Sequence, residues 1–354
     1  MTDRNARFCY NNWFDASTIT ASSAVSGYPA ANLVHSIRSK LWKAAGVFEV
    51  SASNNKVYIN GSTYTLTVGS YTSSTLITHF NTVTGQTLSR DAYGKFSITL
   101  GASGSLNLSS TSNAAWSMLG FLSSSDLNGT VFQADEARYH TAEWLRVDMG
   151  LPQLPTFAAI IPQANTVFSG RIATITLEGN NINEWSSPPV SVAMEVSDAG
   201  AFVAIDSTTQ PCRFWRLKIV DKTNANLSGA VAYIGDSVAL SDTNISVGFN
   251  RMREDQSVRL YSESGALYID KRPKVMSLSG VSIQYLKDTE LKDFEQLFYD
   301  IGIGSPFFLV VDPKKGVSSQ LCDMTHYVYA LNPPQFSHVL RGYYNLSVEL
   351  REAL

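Results

Sequence analysis

The sequence predicts a mainly β, multidomain chain: a β-sandwich, a small α+β unit, and a C-terminal β-sandwich with one flanking helix. Three observations carry this. First, of 354 residues 44% are hydrophobic and only 16% charged, which suits packed cores and a surface of hydroxyls and amides. Second, in Cys212–Leu240 the residues Phe214, Arg216 and Lys218 alternate with Trp215, Leu217 and Ile219, the period of a strand with two unlike faces. A polar break, Asp221 to Asn226, separates them from the apolar run Ala230 to Ile234, so the stretch reads as two strands joined by a loop near the sandwich's closing edge. Third, in two places a 3.6-residue apolar spacing interrupts the strand pattern, so each of two further units holds one helix.

In chain order, Pro29 breaks the chain after Tyr28, Ala30 to Ile37 has room for one helical turn, and Leu41-Trp42-Lys43 begins a strand whose Trp42 belongs in a core. Lys56 to Ile59 and Thr63 to Thr67 form a hairpin around Asn60-Gly61. Ser73 or Ser74 caps a helix with Leu76, Ile77, Phe80 and Val83 on one face and Gly85 at its end. Lys95 to Leu100 is a strand, and Trp116, Met118, Leu119 and Phe121 complete an apolar set that needs no outside partner. Glu143 to Gly150, Phe157 to Ile161, Arg171 to Leu177 and Ala193 to Val196 return to strand character, with a turn expected at Glu178 to Asn181. Beyond Ser241 come a hairpin (Val258 to Tyr261 and Ala266 to Ile269 around Ser264-Gly265) and a long strand, Val275 to Leu286. A helix capped by Asp288 or Thr289 presents Leu291, Phe294, Leu297, Phe298 and Ile301 on one face. Strands at Phe307–Val311, Thr325–Ala330, Phe336–Arg341 and Tyr343–Leu350 follow, the last with Tyr344, Leu346, Val348 and Leu350 inward.

Net charge is −3 and no Lys/Arg run occurs, so nucleic acid is not an expected partner. Cys9, Cys212 and Cys322 are isolated, which fits buried thiols better than a disulfide framework or a zinc site. The first residues lack a signal-peptide apolar segment, and no apolar run reaches the length of a membrane span. Cys322, Asp323 and His326 invite a nucleophile reading, but neighbours along one strand rarely converge as a triad does. Asp198, Asp206 and Asp221 read as solvated turn carboxylates rather than calcium ligands, and Gly302-Ile303-Gly304 follows a helix, the wrong context for a phosphate cradle. No catalytic, metal or cofactor-binding set is expected. Trp185, among Asn180, Asn181 and Asn183, is the best candidate for stacking on a sugar or contacting a partner.

The runs Tyr28-Pro29-Ala30-Ala31-Asn32-Leu33, Trp42-Lys43-Ala44, Glu143-Trp144-Leu145-Arg146-Val147-Asp148-Met149-Gly150 and Cys212-Arg213-Phe214-Trp215-Arg216-Leu217 resemble, in this order, the discoidin (galactose-binding-like) β-sandwich family. Members of that family keep the first two motifs close to the third. About a hundred residues intervene here, more than a loop in a compact domain holds, which implies an inserted domain. The expected division is a discontinuous sandwich over 1–46 and 126–243, an insert over 47–125 and a C-terminal domain over 244–354. The chain as a whole resembles bacteriophage tail-tip and baseplate (distal-tail-like) virion proteins. That resemblance rests on Thr18-Ile19-Thr20-Ala21-Ser22-Ser23, on Tyr64 to Thr72, on Leu119-Gly120-Phe121 and on the closing alternation from Tyr344. It implies a structural protein made in the host cytoplasm and built into the virion as a ring of copies, contacting tail-tube and baseplate proteins. The ring-forming strands are then expected to use Val281, Ile283, Tyr285, Tyr344, Leu346 and Val348. A lectin-like module gripping cell-surface glycan is the alternative.

Overall fold

The structure, a computed structural model, describes residues 5–16, 19–34, 38–44, 46–91, 94–136, 138, 142–163, 168, 172–205, 209–221, 227–240, 244–246, 249–263, 266–272, 274–312 and 320–353. It is mainly β, with antiparallel pairing throughout its sheets. The turn expected at Ser264-Gly265, the loop 222–226 and Asp206 lie outside the described residues.

One sheet of the sandwich has five strands in the order Val190–Ala193, Ile172–Asn180, Cys212–Asp221, Glu143–Gln153 and Thr20–Ala21. Its inward residues Leu145, Val147, Leu177, Trp215 and Leu217 meet Ala158, Ile160, Val203, Ala232 and Ile234 of a second sheet. Trp215 is wholly buried and its indole N–H donates to the carbonyls of Gln153 and Cys212, both at 3.0 Å. That satisfies the polar end that makes burying a Trp costly. Trp42 is likewise core, donating to the Ser23 carbonyl at 2.9 Å.

The two strands of the Cys212–Leu240 stretch do not pair at an edge. Cys212–Asp221 lies in the middle of the five-stranded sheet, and Val231–Ala239 lies inside the other. The reason is in Val231 to Gly235, buried residue after residue: Ala232 and Ile234 face the sandwich, while Val231 and Tyr233 face an aromatic cluster behind it. A strand covered on both faces belongs to a sheet interior.

The second sheet does not stop at the sandwich. Arg7–Asn12 pairs with Val231–Ala239 on one side and with Phe307–Val310 on the other. The sheet then continues through Thr325–Ala330, Tyr343–Glu352 and Lys274–Lys287 to Asn250–Asp255, eleven strands with Gln335–Leu340 paired alongside. Residues assigned by sequence to separate sandwich and C-terminal units thus share one hydrogen-bonded sheet. The bridging strand comes so close that a Cβ at Gly235 would collide with the Asn11 carbonyl. Phe8 anchors the bridge, its ring edge-on to Phe294 at 5.0 Å and stacked on Phe307 at 6.1 Å.

In the inserted unit, Lys56–Ile59 and Ser62–Thr65 turn at Asn60 and Gly61, whose φ angles of 53° and 74° give the mirror-image turn that matches strand twist. The helix Ser73–Thr84 buries Leu76 and Phe80. Its cap is Thr72, one residue before the expected serines, and Gly85 ends it at φ 69°. Leu127–Gln133 pairs with Phe96–Leu106, so this core takes in Phe132 and Ala134 beyond residue 125.

In the last unit, helix Asp288–Ile301 packs Phe294, Leu297, Phe298 and Ile301 on the long sheet. Lys287 holds the cap position and its backbone N–H reaches the Glu290 carboxylate at 3.3 Å, which leaves Asp288 and Thr289 in the first turn. Among the described residues no helix is long and apolar enough to cross a membrane.

Candidate functional site

The outward face of the five-stranded sheet is built by alternation. Because Leu145, Leu177 and Leu217 point inward, their neighbours Trp144, Arg146, Glu178, Arg216 and Lys218 point out. Register sets Arg146 opposite Arg216, and Glu178 opposite Arg216 on the far side. Two like charges facing each other across strands repel. Glu178 offsets this: its carboxylate takes the Arg216 Nε–H at 2.5 Å and lies 3.9 Å from Lys218 Nζ. Arg216 and Glu178 are only 3% and 5% exposed, so this is a buried pair. Burial first, and then Arg216, holds the Arg146 pKa below its ordinary value, with Asp148 opposing.

Trp185 closes over this row. The Arg216 guanidinium stands 4.3 Å from its ring centre, and Arg146 stands 5.0 Å from that of Trp144. Nearby, Arg213 grips Asp148 with two bonds of 2.7 and 2.8 Å, which hold the carboxyl down at about 2.

The amides around Trp185 are committed to shaping its loop. Asn180 Nδ2 donates to the Glu184 carbonyl at 2.5 Å, and its Oδ1 accepts from the backbone of Asn181 and Ile182. Asn181 Oδ1 accepts from the Arg213 backbone at 3.1 Å. Asn183 Oδ1 accepts from Arg146 at 2.5 Å and from the Trp185 indole at 2.9 Å. Asn180, Asn181 and Asn183 therefore orient Trp185, and their carbonyl oxygens are not spare sugar ligands. Trp185 itself is half-buried at a cleft of about 540 Å³, which it shares with Ser186 and Lys218 of the sandwich and Glu49, Ser51 and Asn54 of the inserted unit. Sequence reasoning missed Lys218, Arg216, Glu178 and Trp144. Their signal is the outward half of the same alternation that located the core.

The strands expected to form a ring present a different face. Val281, Ile283, Leu346 and Val348 are buried beneath the helix Asp288–Ile301 and have no surface to offer a neighbour. Tyr344 is half-buried. Tyr285 is 51% exposed because a bulge between Ile283 and Leu286 breaks the alternation and turns it outward at φ 59°.

Cys322 and Asp323 lie in the short helix Gln320–Asp323, not on the strand Thr325–Ala330 with His326, and all three line one cavity, yet Cys322 and His326 are not poised as a nucleophile and its base. The Cys322 thiol points to the Glu195 carbonyl at 3.4 Å, and burial pushes its pKa up to about 12. Burial and then the charge of Arg251 push His326 down to about 4. Both are neutral near pH 7, so the thiolate required for attack is scarce. Among the described residues no three His, Cys, Asp or Glu side chains converge to hold a metal; the side chain of Asp221 lies outside them.

Compared with protein-family models, with curated proteins and with solved structures, the chain matches none of them.

Proposed function

We propose that the chain is a structural virion protein of a bacteriophage tail tip or baseplate, assembling in multiple copies between the tail tube and host-facing components. The observation that carries the assembly is a β-ribbon that joins none of the hydrophobic cores among the described residues. Val258–Tyr261 pairs with Leu267–Asp270 outside the long sheet. Leu260 faces Tyr268 on one side of the ribbon and Tyr261 faces Leu267 on the other, with Tyr261 70% and Tyr268 62% exposed. A two-stranded ribbon is marginal alone in water, and apolar groups on both of its faces call for a cover.

A second copy offers that cover. The ribbon's own strands carry Arg259 against Asp270, and the residues that follow at its base, Lys271, Arg272 and Lys274, add three positive charges. Helix Asp288–Ile301 carries Asp288, Glu290, Asp293, Glu295 and Asp300 against Lys292, a net charge of −4. At its outer face Tyr299 is 85% exposed. An apolar ribbon with a basic base on one copy and an acidic helix with an exposed aromatic on the next make a head-to-tail contact, the kind that closes into a ring. Pairing Leu260→Ser with Tyr268→Ser, and separately Tyr299→Ala, is expected to dissociate the assembly to monomer in sedimentation velocity. The monomer's unfolding free energy should move by no more than about 0.5 kcal/mol, as for other surface changes. An assembly that survives all three substitutions refutes this contact.

The half-exposed Trp185 beside a polar cleft favours a second reading, a lectin-like module that grips cell-surface glycan. On that reading a glycan array gives signals that Trp185→Ala removes while folding is retained. Silence of the wild-type chain across the array discards it.

A further inference from the structure

A cavity of about 190 Å³ lies at one end of the strand Thr325–Ala330, and its wall includes Arg38, Arg251, Arg253, His326, Asp323 and Glu352. Among the described residues of the wall, three guanidinium groups stand against two carboxylates, one positive charge in excess. Among the described residues two nitrogens of the wall have no hydrogen-bond partner: Nε2 of His326, which is 8% exposed, and Nε of Arg38, which is 9% exposed. The rest of the Arg38 guanidinium is engaged, Nη1 with the Ala353 carbonyl at 3.3 Å and Nη2 with the Pro162 carbonyl at 3.1 Å. Glu352 stands 3.9 Å from Arg38 and accepts from the Met276 backbone at 3.0 Å. The nearby carboxylate of Glu254 is taken by Arg351 at 2.7 Å, so it does not neutralise Arg251 or Arg253.

Buried polar atoms are almost always satisfied, and an orphaned one calls for a partner. Orphaned nitrogens in a positively charged cavity call for an oxygen acceptor carrying negative charge. We propose that this cavity binds a small oxyanion, a carboxylate or phosphate group, with Arg38, Arg251, Arg253 and His326 as its donors. The inference is independent of the assembly reading, since it requires one copy of the chain.

Binding is linked to pH through His326. The groups that face it are the cations Arg38, Arg251 and Arg253, the carboxylates Asp323 and Glu352, the Tyr327 phenol and the neutral Cys322 thiol. Burial and Arg251 keep the empty-site imidazole neutral down to about pH 4. An anion against Nε2 favours the imidazolium, so anion binding takes up a proton. Affinity therefore rises as pH falls from 7 towards 5, by at most about tenfold per pH unit.

The test is a calorimetric titration of the full-length chain with inorganic phosphate and with acetate, alongside the His326 ring signals in an NMR titration. Sulfate, whose charge is constant over this range, reads the pH dependence. The expected result is saturable binding that shifts the His326 signals. Binding should weaken by about tenfold or more when Arg251→Gln and Arg253→Gln are combined at these two exposed positions. His326→Gln should keep part of the binding and flatten its pH dependence. Saturation by acetate identifies a carboxylate as the natural group, and saturation by phosphate alone identifies a phosphate. No saturable binding of either anion, or binding unchanged by the double substitution, overturns the proposal.

Discussion

Truncating Glu178 to Ala is expected to destabilise the sandwich by about 3–5 kcal/mol, the usual cost of leaving a buried charge without its partner. Arg216 is that charge. With Glu178 gone, its guanidinium faces Arg146 across the strand pair, with Trp185 above it and the sheet below. The pair itself adds little net stability, because desolvating two charges offsets most of their attraction. The double substitution Glu178→Leu with Arg216→Met should therefore lie within about 1.5 kcal/mol of wild type. Urea unfolding of Glu178→Leu, Arg216→Met and the double measures the coupling. Glu178→Ala as stable as wild type would show that Arg216 is hydrated through the cleft and that the row is no buried ion pair.

Phe8→Ala should cost a similar amount, about 3–5 kcal/mol, as for other buried aromatic truncations. The residue sits in the strand that joins the two halves of the long sheet, against Phe294 of the helix and Phe307 of the next strand. Its removal leaves a cavity beneath the helix Asp288–Ile301, and the two halves should then unfold in separate steps rather than one. Differential scanning calorimetry reads both effects. A single sharp transition near the wild-type temperature would mean that the bridge is not the seam between them.

Local structure was legible wherever one residue type enforces one backbone state. Asn60-Gly61 required a hairpin turn, Gly85 required a helix end, and the stripe from Leu291 to Ile301 required a core-facing helix. Features set by partners distant in the chain were not legible. Nothing in Arg7 to Asn12 shows that it will pair with residues near 235 and near 308 at once. Tyr285 shares the parity of Val281 and Ile283, so only the bulge, fixed across the sheet by Asn345 accepting from its N–H at 3.2 Å, turns it outward. At the candidate site Trp185 was legible as an aromatic among amides. The Arg146–Arg216–Glu178 row was not, because a charged outward residue on one strand has no visible partner until register is known. The exposed ribbon was read as a hairpin. What made it distinctive, the exposure of its apolar residues on both faces, is a property of the whole fold.

The most direct measurement is the mass of the purified full-length chain by sedimentation velocity over a wide concentration range, followed by zero-length carbodiimide cross-linking and peptide mapping. A closed ring predicts one species at a fixed integer multiple of 38.7 kDa, with Lys271 or Lys274 of one copy joined to Glu295 or Asp300 of another. A single 38.7 kDa monomer at every concentration, or a ring whose cross-links never join ribbon to helix, would contradict it.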